Sequence, residues 1–112
     1  MKATELQIGD WILYGDKPVK VLQLSENSKY SWVKPIPLTP KILEKNGFWV
    51  MEKVDNGAEE YIAYATDGLI FHYNRDNDYY FPNTPISWKY VHQLQHALRL
   101  CGLDKLADNF KI

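Results

Sequence analysis

The stretch Tyr61-Ile62-Ala63-Tyr64-Ala65-Thr66-Asp67-Gly68-Leu69-Ile70-Phe71-His72-Tyr73 decides the fold. Asp67-Gly68 is a strong tight-turn dipeptide, because a two-residue hairpin loop needs positive φ and glycine adopts it without strain. Tyr61 to Ala65 and Leu69 to Tyr73 carry the aromatic and branched residues that suit a pleated surface. The stretch therefore predicts an antiparallel hairpin.

The reading extends outward in both directions. Phe48 to Lys53 is strand-like, and Asp55-Asn56-Gly57 turns the chain. Before it, Thr39-Pro40 matches an N-cap followed by proline at the first helical position, Lys41 to Asn46 makes a short helix, and Gly47 suits a left-handed stop. Pro35, Pro37 and Pro40 end any ladder that would run on, since proline has no backbone donor. Nearer the amino terminus, Trp11 to Tyr14 and Val19 to Leu24 form a second hairpin around Gly15-Asp16-Lys17-Pro18. Lys29 to Val33 resumes a strand that places Tyr30, Trp32 and Lys34 on one face and Ser31 and Val33 on the other.

Toward the carboxyl terminus, Asn74 to Pro85 reads as a surface loop with room for one edge strand. Ser87 caps a helix from about Trp88 to Cys101, with Gly102 as its stop and Val91, Leu94, Leu98 and Cys101 on one apolar stripe. Leu103 to Ala107 adds a final turn, and Phe110 and Ile112 tuck back. The sum is an α+β fold: a strongly bent antiparallel sheet of five or six strands, a partly open small barrel, with one short helix and one main C-terminal helix. A length of 112 residues sets this as a single domain over 1–112.

Apolar residues make up 46% and charged residues 24%, which excludes disorder and coiled coil. Aromatics reach 14%, a heavy load for so short a chain, and they supply core or contact surface. The net charge of −1 argues against the broad cationic footprint of duplex nucleic-acid binding. Residues 17–53 nevertheless carry seven Lys against three Glu, and residues 55–78 six acids against Arg75. That polarity can orient an anionic ligand, let two copies pair as a homo-oligomer, or simply make a solvated surface. Cys101 is the one cysteine, so no intramolecular disulfide forms and a reducing, cytoplasmic setting is favoured. The amino-terminal residues lack an apolar core, and no stretch reaches the length of a membrane helix, which leads to the expectation of a soluble, unprocessed protein.

Catalytic signatures are weak. His92 and His96 stand four apart on the helix, a spacing that can chelate zinc, but no third ligand lies nearby and Gln93 stands where a zinc protease carries Glu. The alternative is that both belong, with Gln95 and Arg99, to the polar helix face. Asn74, Asp76 and Asp78 copy the start of a calcium loop, whereas Tyr79 and Pro85 occupy its glycine and glutamate positions. Cys101 reads as core, and the six glycines are scattered singly, so no phosphate loop exists. No catalytic residue, metal ligand or cofactor is assigned, and nucleotide cleavage with His92 and His96 as acid and base is the least supported reading.

Aromatics interleaved with cations carry the binding reading. Tyr30, Trp32 and Lys34 can present a stacking surface with a charge beside it, and Tyr79 and Tyr80 with Arg75 can do the same from the loop. Lys89, His92, His96 and Arg99 can add phosphate contacts from the helix face. The competing reading makes Trp11, Trp32, Trp49 and Trp88 core residues, with Tyr79 and Tyr80 as the exceptions that stay accessible.

Three stretches, Glu5-Leu6-Gln7-Ile8-Gly9-Asp10, Lys34-Pro35-Ile36-Pro37-Leu38-Thr39 and Lys89-Tyr90-Val91-His92-Gln93-Leu94-Gln95, together resemble a group of short uncharacterised proteins of Bacteroides-type bacteria, their prophages and phages. The resemblance implies a phage accessory protein acting in the bacterial host cytoplasm, and such proteins interfere with host defence. It brings no established reaction. The resulting expectation is a non-enzymatic protein that sequesters a small anionic ligand such as a nucleotide immune signal. The alternative is an interaction module that blocks a host protein and takes no small ligand.

Overall fold

A computed structural model describes residues 6–21, 33–57, 60–66, 68–74 and 78–112. The strands are β1 (Trp11–Tyr14), β2 (Lys17–Lys20), β3 (Val33–Pro35), β4 (Trp49–Asp55), β5 (Glu60–Thr66), β6 (Leu69–Tyr73), β7 (Tyr79–Tyr80) and β8 (Ser87–Trp88). The helices are α1 (Pro40–Lys45), α2 (Val91–Leu100) and α3 (Asp104–Asp108). The fold is α+β with antiparallel sheets, one of three strands in the order β2-β1-β3 and one of five in the order β4-β5-β6-β7-β8. The chain groups into two compact units, residues 1–38 with 90–112 and residues 39–89. Among the described residues no helix is long and apolar enough to cross a membrane.

The first unit holds the small sheet with α2 and α3. β2 and β3 are its edges, which is where Pro18 and Pro35 are tolerated, since an edge strand can lack a donor on its outer side. Leu6, Ile12, Val21 and Val33 bury together with Val19 packed on them. α2 buries Val91, Leu94, Ala97 and Leu98 at the 3.6-residue spacing the sequence shows.

Two details of α2 differ from the sequence reading. It begins at Val91, with Tyr90 as N-cap, and Trp88 belongs to β8 instead. Trp88 lies three residues before Val91 and so fits the apolar stripe, but its ring packs edge-on against Phe71 and Phe81 in the other unit's sheet. At the far end the helix closes at Leu100 by a Schellman motif. Leu103 N–H donates to Leu98 O at 2.8 Å and Gly102 N–H to Arg99 O at 3.1 Å. Cys101, read as core, is the C-cap of this closure and is exposed.

The second unit opens with α1 as the sequence dictates. Thr39 Oγ1 accepts from Ile42 N–H at 3.3 Å, and Pro40 takes the first helical position. Gly47 at φ +80° lets Phe48 N–H return to Leu43 O, and Leu43 and Phe48 are both buried. In the five-stranded sheet Thr66 pairs with Leu69 across the two-residue turn, so the hairpin forms at the register its sequence sets. Alternation then gives the sheet two unlike faces. Tyr64, Phe71, Tyr79 and Trp88 share one, with Phe71 within 5.3 to 6.0 Å of Phe48, Tyr64, Tyr79 and Trp88 between ring centroids, and this is the aromatic core. Glu52, Ala63, His72, Tyr80 and Ser87 form one cross-strand row on the other.

Candidate functional site

Two gatherings of polar and aromatic side chains stand out, one in each unit. In the first, the helix face read as polar and solvated is turned inward. Asp10, with no exposed surface, accepts from Gln7 N–H at 2.7 Å and from Arg99 Nη1 at 2.8 Å, and its Oδ2 lies 2.6 Å from His96 Nε2. Gln95, equally buried, accepts from Trp11 N–H at 2.9 Å and donates to Gly9 O and Ala107 O. Arg99 also reaches Gln7 Oε1 at 2.9 Å and Asp108 Oδ1 at 3.4 Å. His92 is buried, its ring near Tyr90 and His96.

The Gln7-Ile8-Gly9-Asp10 segment is thereby explained. Gly9 has φ +94°, and a Cβ placed on it would meet Arg99 Nη2 at 2.9 Å and Asp108 Oδ1 at 3.1 Å. At this positive φ any side chain strains the backbone, and a Cβ would also crowd the guanidinium. The carboxylate is fully engaged by donors and has no path to a reacting group, so this cluster is a clamp that fixes residues 7–11 on α2. Arg99 and His96, proposed for phosphate contact, are both engaged by the Asp10 carboxylate.

The second gathering lies on the outer face of the five-stranded sheet. Tyr61 stacks on His72 with centroids 4.3 Å apart and planes 7° apart, and Tyr80 meets His72 edge-on at 5.6 Å and 80°. These rings floor a cleft of ≈ 530 Å³, within the size range of ligand pockets. Glu60 and Asn74 line its sides, and Pro82 and Asn83 come from the turn between β7 and β8. That turn is tied by Thr84, whose hydroxyl donates to Phe81 O at 2.9 Å and accepts from Ile86 N–H at 3.2 Å. Asn83 takes φ +63°, the left-handed region that asparagine enters more readily than other side chains.

Burial lowers the His72 imidazole below its ordinary value, and the negative charge of Glu52 in the same row partly offsets the effect. His72 is therefore neutral at pH 7. On the core face, burial raises the Tyr79 phenol far above its usual range, with Tyr64 and Tyr73 adding to it, and raises that of Tyr64 as well. Both stay protonated and belong to packing.

The sequence-derived candidates distribute as follows. Tyr30, Trp32 and Arg75 lie outside the described residues. Lys34 is exposed on β3. His96 and Arg99 hold Asp10 in the clamp, the His92 ring lies 5.6 Å from that of His96, and Lys89 pairs with Asp78 at 3.4 Å. The pair Tyr79-Tyr80, read as loop, is a strand bonded on both sides, so its two rings part: Tyr79 is 1% exposed in the core and Tyr80 faces the cleft. Sequence reasoning gave Glu60, Tyr61, His72 and Asn83 no part in ligand binding, and considered Asn74 only as a calcium-loop position. The signal for Tyr61 and His72 was present, because a two-residue turn after Thr66 puts odd-numbered β5 residues and even-numbered β6 residues on one face. Among the described residues no three His, Cys, Asp or Glu side chains gather to hold a metal. The chain matches no protein-family model, and neither the curated proteins nor the solved structures yield a similar chain.

Proposed function

We propose that this chain is a non-enzymatic binding protein that captures a small ligand by stacking the ligand's planar ring on the outer face of the five-stranded sheet. The observation that carries the reading is the Tyr61–His72–Tyr80 ring set at the floor of a ≈ 530 Å³ cleft, with amides of Asn74 and Asn83 and the Glu60 carboxylate around it. Base–aromatic stacking contributes roughly 1–3 kcal/mol per ring, enough to hold a nucleobase-like group with a few directed hydrogen bonds. The resemblance to small phage and prophage proteins supplies a setting: sequestration of a base-containing signal in the host cytoplasm.

Titration calorimetry against a panel of nucleosides and nucleotides tests this. Tyr80→Ala and Tyr61→Ala are each expected to weaken binding by about 5-fold or more, the lower end of a lost stacking contact. A panel that yields no binding, or binding indifferent to both substitutions, refutes it.

One observation favours the interaction-module reading. β4 is an outer strand of its sheet, and Trp49, Val50 and Met51 on it are 54%, 44% and 48% exposed. Such an edge is open to strand addition by a host protein or a second copy. Under this reading Val50→Lys abolishes capture of the partner and leaves ring binding in the cleft unchanged.

A further inference from the structure

We infer that the edge strand β4 pairs antiparallel with β4 of a second copy of the chain, about a two-fold axis at Val54. This rests on the strand-addition reading of that edge above and commits the edge to one occupant.

β4 ends its sheet, and every residue from Trp49 to Asp55 is exposed except the half-buried Val54. A bulge between Val50 and Glu52 divides the strand and leaves residues 52–55 as the regular stretch that a second strand can follow. Pairing with β5 gives each of these residues a face. Glu52 and Val54 stand opposite Ala63 and Tyr61, on the cleft side, and Lys53 and Asp55 opposite Ile62 and Glu60, on the other. A two-fold axis that sets a strand antiparallel to its own copy runs perpendicular to the sheet and keeps each side chain on its face. It must therefore sit at one residue, which meets itself while that residue's two neighbours meet each other; an axis between residues would oppose side chains from different faces. Four positions remain, and charge separates them. An axis at 52, 53 or 55 sets Glu52, Lys53 or Asp55 against its own like charge on the copy, which destabilises a cross-strand pair. The axis at 54 sets Val54 against Val54 and, on the opposite face, Lys53 against Asp55 twice. Among the described residues neither Lys53 nor Asp55 has an ion-pair partner in its own chain, so both charges are available to the copy. A lysine alone on an edge strand repels a second strand, but with Asp55 two positions on it becomes half of a self-complementary pair. The axis also keeps both outer faces on one side of the joined sheet, so the two clefts open in the same direction.

The test measures self-association of the full chain by sedimentation over a concentration series reaching about 1 mM. Lys53→Glu opposes acid to acid at both pairs, and Asp55→Lys opposes base to base. With two favourable pairs lost and two repulsions gained, each variant is expected to weaken the dimer by about 5-fold or more. Mixing the two variants restores both opposite-charge pairs in a heterodimer, so the mixture is expected to associate where neither does alone. Thermal melts verify that each variant folds. Val54→Cys in a Cys101→Ser background reads the register without a charge change. Directly opposed Cα atoms lie about 4.5–5.5 Å apart, within disulfide range, so oxidised glutathione is expected to link two copies there and to spare Lys53→Cys in the same background. Linkage at 54 without a sedimenting dimer upholds the register in a weaker complex. No linkage at 54, or a dimer indifferent to both charge variants, overturns the self-pairing. Hydrogen exchange on the Lys53→Glu variant separates that failure from failure of the reading beneath it. Fast exchange of the outward-facing β4 amides leaves the edge open to a host protein, whereas protection there in a monomer means that the edge is already covered and strand addition falls as well.

Discussion

Asp10→Asn exchanges one oxygen of a fully buried carboxylate for an amide of the same shape, and its cost follows from the contacts described. Oδ2 faces Gln7 N–H and His96 Nε2, and Oδ1 faces Arg99 Nη1. Whichever way the asparagine amide is turned, its NH₂ confronts at least one donor that the carboxylate had satisfied. The guanidinium also loses its counter-charge at 2.8 Å while only 17% of the Arg99 side chain is exposed. Removing one partner of a buried ion pair costs roughly 3–5 kcal/mol, and because Gln7 and Asp108 remain as acceptors the expected loss here is about 2–4 kcal/mol. For a chain of this size that lowers the melting midpoint by roughly 10–20 °C. Urea unfolding followed by circular dichroism measures it, with an unchanged m-value showing that stability alone has moved. Adding Arg99→Gln removes the stranded charge, so the double variant should recover part of the loss, with a coupling of about 1–3 kcal/mol. A loss below about 0.5 kcal/mol, or strictly additive single variants, would mean that Asp10 is not the clamp described.

Four further outcomes are expected. Gly9→Ala combines left-handed strain of about 1–2 kcal/mol with a 2.9 Å approach to Arg99, so it should destabilise by at least that much in the same urea assay, and a neutral result removes the close approach. Thr39→Ala deletes the α1 cap to Ile42 N–H and should cost about 1 kcal/mol, whereas Thr39→Asp should hold stability within a few tenths. His72 is expected to tie stability to pH with a definite sign. Its folded pKa lies below the ordinary 6.5, so as pH falls through that value the unfolded chain takes a proton the native state refuses, and stability drops. His72→Gln should flatten the stability profile over pH 5–7, and an identical slope in both proteins would show that His72 is not the group responsible. The Cys101 thiol is exposed at the helix end and should react with Ellman's reagent at full stoichiometry in the native protein, whereas a protected thiol would place it back in the core.

Much of the local architecture was legible because its causes are local. A two-residue turn at 67–68 fixes the register of β5 and β6, and Thr39-Pro40 and Gly47 bracket α1 within nine residues. What escaped depends on residues distant in sequence. The face of α2 that carries His92, Gln95, His96 and Arg99 looks polar and solvated until Asp10 is brought to it from more than eighty positions away. Helical periodicity also runs past the helix: Trp88 and Cys101 both fit the stripe, one claimed by a strand and the other left outside by the Schellman closure. Tyr79 and Tyr80 were paired by sequence and parted by the pleat, so of the cleft's residues only Tyr80 had been read as part of an aromatic binding surface.

The first unit is assembled from the two ends of the chain, and this bears on how it is born. Trp11 Nε1 donates to Phe110 O at 2.6 Å, and Gln95 carries the backbone N–H of Trp11. On the ribosome β1 emerges well before the partners it needs on residues 90–112, whereas residues 39–89 are contiguous and contain every strand of the five-stranded sheet. Residues 39–89 can therefore reach their native pairing before residues 90–112 are made, and β1 meets Gln95 and Phe110 only afterwards.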